Sequence, residues 1–129
     1  MEKLFFNYYK FTNDTSYEKE WVLCMHHLSK DIFLSDSVMT DGISKIKLYT
    51  KDQEVVYVID DNSVFRQNKN SQLEYPLNIK MIKVTNVSKS SSLVDSIFLE
   101  INKSNIDKEY IYFFKDYDYL VQHKYGISD

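Results

Sequence analysis

Apolar and polar residues change their period several times along this chain, and each change marks an element. Residues 3–11, Lys-Leu-Phe-Phe-Asn-Tyr-Tyr-Lys-Phe, are dense in aromatic strand formers and predict a first strand. Thr15 followed by Glu18 has the spacing of a capping box, in which hydroxyl and carboxylate satisfy each other's backbone amides. Tyr17, Trp21, Cys24, Met25, Leu28 and Ile32 then recur at helical spacing, predicting a helix over about 16–30. Val22 and Leu23 widen that stripe, so a strand is the competing reading.

Beyond the polar residues around Ser35 and Gly42 the period becomes two. Ile46 and Leu48 alternate with Lys45, Lys47 and Tyr49, and residues 55–59 form a β-branched run suited to a central strand. Asp60-Asp61-Asn62-Ser63 is turn chemistry, and Val64-Phe65-Arg66 predicts the returning strand. Residues 67–72 read as a polar loop. A strand over 77–87 changes phase near Met81, the mark of a bulge. Leu93, Val94, Ile97, Phe98 and Ile101 suggest a second helix ending near Lys103. Residues 110–114 and 119–122 read as a hairpin around 115–118.

The expected order is β-α-β-β-β-β-α-β-β in a single α+β domain, 1–129. Short turns favour antiparallel neighbours. The expected fold is thus a mainly antiparallel, twisted sheet of about six or seven strands with two helices packed on it.

Composition then narrows the chemistry. Eleven tyrosines and eight phenylalanines stand against two glycines, one proline, one arginine and no alanine. An AT-rich gene yields the same bias, with the same consequence: Gly42 and Gly126 cannot build a glycine-rich phosphate loop. The formal charge is −3 and Arg66 is the only guanidinium, which argues against general nucleic-acid binding. Cys24 is the sole cysteine, so neither an internal disulfide nor a cysteine pair for zinc is available. Residues 1–8 lack a signal peptide's apolar stretch, and no apolar run approaches the ~20 residues of a membrane span. A cytoplasmic location is expected, with no cofactor, no metal, no nucleic acid and no membrane partner, as a monomer or weak homodimer.

Three constellations could carry chemistry. His26 and His27 are neighbours on the first helix, about 100° apart, too divergent to share a metal. His27 and Asp31, four residues apart, have the spacing by which a carboxylate orients a general base, and His123 lies near the C-terminus. Asp60-Asp61 and Asp116-x-Asp118 offer oxygen ligands for Mg²⁺, although both fit solvated turns better. Lys45, Lys47, Lys51, Lys80 and Lys83 could line a basic stripe beside aromatics, as in single-strand nucleic-acid binders. Charges that guard strand edges are the more economical reading.

The strongest signal lies in residues 110–120, Tyr-Ile-Tyr-Phe-Phe-Lys-Asp-Tyr-Asp-Tyr-Leu. A half-buried strand cannot hide both faces, so several rings should reach the surface, where tyrosine pairs an apolar body with a polar tip. The expected partner-binding residues are Tyr110, Tyr112, Asp116, Tyr117, Asp118 and Tyr119, with Asp107 and Glu109 making the area acidic. These features suit a non-catalytic protein inhibitor: a bacterial immunity protein or antitoxin that neutralises a toxin such as a basic nuclease. The alternatives are a small hydrolase or nuclease-like enzyme using His27 and Asp31 or an acidic pair, and a phage-type regulator that blocks a host enzyme.

Overall fold

The computed structural model describes residues 16–103 and 107–117. The strands expected at 3–11 and 119–122, and the Thr15 end of the capping box, lie outside them. Helix α1, Ser16–Leu34, is followed by eight strands: β1 Ser37–Asp41, β2 Lys45–Tyr49, β3 Glu54–Ile59, β4 Val64–Asn68, β5 Ser71–Tyr75, β6 Asn78–Asn86, β7 Val94–Asn102 and β8 Lys108–Phe114. They make two antiparallel meanders, a five-stranded sheet in the order β1-β2-β3-β4-β5 and a three-stranded sheet in the order β6-β7-β8. The class is α+β, with two sheets in place of the single one expected.

Alternation decides which side of each strand is buried. In β2, Ile46 and Leu48 are buried while Lys45, Lys47 and Tyr49 are half-exposed. Tyr57, Val64 and Tyr75 continue the buried face across β3, β4 and β5. Ile79 and Met81 of β6 and Ile97, Leu99 and Ile101 of β7 supply the second sheet's inner face. Trp21, Val22, Cys24, Met25, Leu28 and Ile32 of α1 join both sets in one core. The sheets change over at Tyr75-Pro76-Leu77, where the Leu77 amide donates to the Tyr75 carbonyl at 2.8 Å. The expected bulge is present as a register shift between Met81 and Lys83.

The second helix is not there: residues 94–102 form β7, the central strand of the smaller sheet. From Ile97 onward the burial alternates, with Ile97, Leu99 and Ile101 inside and Phe98 and Glu100 outside. An apolar ring on the outer face fills the gap that marks a period of two, so the run imitates a helical stripe. Two strands also escape the sequence pattern. In β5 only Tyr75 is buried, and Ser71 to Glu74 stand exposed along the sheet edge, leaving no alternation to read. The turn before it closes on Asn68, whose Oδ1 accepts the Asn70 and Ser71 amides at 3.0 and 2.9 Å. β1 is equally short and its outer end is polar.

The helix runs past the expected end at residue 30 to Leu34. Its last turn contains no basic residue, and Lys115 supplies the missing cation from β8's far end. Lys115 Nζ donates to the Ile32 and Phe33 carbonyls at 2.9 and 3.2 Å, placing a cation on the last carbonyls of the helix, where the dipole favours it. Burial lowers the Lys115 pKa. Ser35 completes the stop, its Oγ donating to the Ile32 carbonyl at 2.8 Å.

Candidate functional site

Two places concentrate chemistry, and their geometry separates them. The first is the seam between α1 and the five-stranded sheet. Asp31 Oδ2 accepts the Tyr57 hydroxyl at 2.5 Å and Arg66 Nε at 2.7 Å, and its Oδ1 accepts Arg66 Nη2 at 3.2 Å. One turn earlier, His27 Nδ1 shares a hydrogen bond with the Tyr75 hydroxyl. One helix face is thereby tied to β3, β4 and β5. The bond to Asp31 raises the Arg66 pKa further, and burial, then the same carboxylate, raise that of Tyr57. Burial, followed by the nearby Arg66 charge, lowers that of His27. The spacing of His27 and Asp31 does not make them a pair here: each turns to a different strand residue. Arg66 is spent inside the molecule on Asp31.

The second place is the outer face of the three-stranded sheet. Along β8, Ile111 and Phe113 pack toward the core while Tyr110, Tyr112 and Phe114 point outward, 54%, 45% and 72% exposed. Phe98 of β7 stands opposite Tyr112 in the register. The four rings form a ladder. Phe98 stacks on Tyr110 at 5.7 Å between centroids and lies 5.0 Å from Tyr112, and Tyr112 stacks on Phe114 at 4.6 Å with an interplanar angle of 3°. Offset-stacked pairs contribute about 0.5–1.5 kcal/mol each beyond area burial, so the rings hold one another in place before anything binds. Beyond Phe114 a groove of about 430 Å³ opens against the end of α1. Phe33, 81% exposed because it sits about 100° round the helix from buried Ile32, forms the opposite wall.

Among the expected partner-binding residues, Tyr110 and Tyr112 thus lie on the ladder, and Asp116 is exposed at the rim of the groove. Tyr117 turns inward. Its hydroxyl donates to the Val94 carbonyl at 2.5 Å and accepts the Val38 amide at 3.1 Å, joining the smaller sheet to β1. Asp118, Tyr119 and His123 lie outside the described residues. Phe98, Phe114 and Phe33 complete the surface; Phe114 belongs to the aromatic stretch 110–120 without being among the expected contact residues, and Phe98 and Phe33 lie outside that stretch. Phe98 falls in the apolar run that imitates a helix, and Phe33 carries no periodic mark.

Charges near the ladder also fall differently from the sequence expectation. Glu109 faces away from the rings and pairs with Lys103 at 3.4 Å, while Glu100 pairs with Lys108 at 3.8 Å. Lys45 and Lys47 belong to β2 in the larger sheet, whereas Lys80 and Lys83 flank the ladder from β6. Asp60 and Asp61 occupy an exposed turn. Among the described residues no group of three or more His, Cys, Asp or Glu is placed to hold a metal ion, and no helix is long and apolar enough to cross a membrane. Cys24 is fully buried and its thiol pKa is pushed up by that burial, the environment of an inert structural cysteine.

Compared with known proteins, the chain matches no family model, no curated sequence and no solved structure.

Proposed function

We propose that this protein is a non-catalytic inhibitor that docks a protein partner on the ladder of Phe98, Tyr110, Tyr112 and Phe114. It belongs by this reading with bacterial immunity proteins and antitoxins, which neutralise a toxin by covering it. The observation that carries the proposal is the ladder: four contiguous aromatic rings in mutual contact, three of them exposed. Soluble monomers rarely leave large apolar patches open without a use. Aromatic anchors in a pre-ordered arrangement contribute most of the energy of protein interfaces at small entropic cost. The enzymatic alternative loses weight because His27 and Asp31 are both engaged in the seam with strand residues.

The reading is tested by coexpression. The product of the neighbouring reading frame is expected to be toxic alone and harmless beside this chain. Phe114→Glu is expected to abolish the protection while leaving the thermal midpoint of the isolated protein within a few degrees. If neither neighbouring product is toxic, or if Phe114→Glu and Tyr112→Ala both protect fully, the inhibitor reading fails.

A further inference from the structure

We propose that the surface seated on the ladder is an acidic protein surface that inserts one bulky apolar side chain between Phe33 and Phe114. This rests on reading the ladder as a docking face and adds the chemistry of what docks there. Four charged groups belong to the outer face of the smaller sheet: Lys80, Lys83 and Lys108 against Glu100. Glu100 is already engaged, by Lys108 at 3.8 Å and by the Tyr110 hydroxyl at 3.3 Å. At the Phe114 end, Asp95 accepts the Thr85 hydroxyl at 2.5 Å. Lys80 and Lys83 stand exposed in register beside Glu100 and Phe98. At the groove, exposed Asp116 adjoins Lys115, whose ammonium caps the helix.

An incoming surface therefore meets two exposed ammonium groups alongside the rings, where Glu100 and Asp95 already have partners, and one exposed carboxylate, Asp116, at the rim of the groove. Complementary charge there speeds encounter and suppresses partners of the wrong sign. The sign is opposite to that of the basic toxin suggested by the chain's overall −3.

A polyanion such as single-stranded nucleic acid shares the charge but not the fit. Bases stack on open ring faces, and Tyr112 has its faces against Phe98 and Phe114. The inner ring of the stack therefore offers its edge outward, which suits side chains, while Phe114 at the end of the stack walls the groove. The groove, at about 430 Å³, falls in the size range of ligand pockets, roughly 300–1,000 Å³. With aromatic walls and Ile32 and Phe113 below, it accepts one large apolar anchor.

The test uses the whole protein and four fluorescent probes: short peptides with a central tryptophan flanked by glutamates or by lysines, the glutamate peptide with alanine for tryptophan, and oligothymidylate. In anisotropy titrations the glutamate–tryptophan peptide is expected to bind about tenfold more tightly than the lysine peptide, the size that two exposed charge pairs support. Lys80→Glu with Lys83→Glu should invert that order. Phe33→Ala with Phe114→Ala should erase the preference for tryptophan over alanine. A lysine peptide that binds as tightly as the glutamate peptide, and still needs Phe114, overturns the charge assignment and leaves the docking face standing. Oligothymidylate binding more tightly than either peptide overturns both. Probe binding indifferent to Phe33 and Phe114 refutes the groove, whereas the inhibitor reading is judged separately by toxin suppression. A homodimer that dissociates on dilution and is lost in Phe114→Ala puts a second copy on the face and also overturns the proposal.

Discussion

Replacing Asp31 by alanine removes three hydrogen bonds at once from the seam between α1 and the larger sheet. It strands the Arg66 guanidinium, which cannot lose its proton, beside a Tyr57 hydroxyl with no acceptor. Removing one partner of a buried ion pair costs about 3–5 kcal/mol. Here the two side chains retain 14% and 19% exposure, so some solvation survives and the lower end, about 3 kcal/mol, is expected. With a urea dependence of about 2 kcal/mol per molar for a domain of this size, the unfolding midpoint should fall by roughly 1.5 M. Urea titration followed by circular dichroism measures it. Asp31→Leu with Arg66→Met should recover part of the loss, because no unpaired charge is left behind. A loss below about 1 kcal/mol for Asp31→Ala, the scale of a surface pair, would refute the view that this network clamps the helix to the sheet.

Three further outcomes are expected. Between the lowered folded pKa of His27 and the ordinary value of about 6.5, the unfolded chain binds more protons. The stability contribution is therefore present above about pH 6.5 and lost as pH falls through the folded pKa. Urea midpoints across that window should decline toward acid, and His27→Asn should flatten the decline; an unchanged slope contradicts the assignment. Lys115→Met should cost about 1 kcal/mol by uncapping α1, read as a lower thermal midpoint with faster amide exchange confined to the helix end. Cys24 should resist a thiol reagent in the native protein and react only in denaturant; rapid native labelling would place it at the surface.

The elements legible in the sequence are those whose two faces see different surroundings. In β2, Ile46 and Leu48 are buried between lysines, and the helix shows its Trp21–Cys24–Leu28 face. The turn at residues 60–63 and the shift near Met81 announce themselves through side chains that bond locally or break phase. Legibility fails where a face is unusual. β5 is a polar edge with one buried residue, and β7 carries Phe98 outward, so alternation vanishes from each for opposite reasons. The second failure is informative, because the ring that disguised β7 as a helix belongs to the ladder. The ladder was half visible: β8's alternation exposes Tyr110, Tyr112 and Phe114, but Phe98 and Phe33 join them only through cross-strand register and the end of the helix. Tyr117 shows the converse, a tyrosine with the composition of a contact residue and the geometry of a strut.

Hydroxyl-radical footprinting of the protein, alone and with its partner, tests the docking face most directly. Phe33, Tyr110, Tyr112 and Phe114 should be strongly oxidised in the isolated protein and protected together in the complex, while Tyr57 and Tyr75 stay unreactive in both. Rings that resist oxidation in the isolated protein, or that oxidise equally with the partner present, would contradict the account.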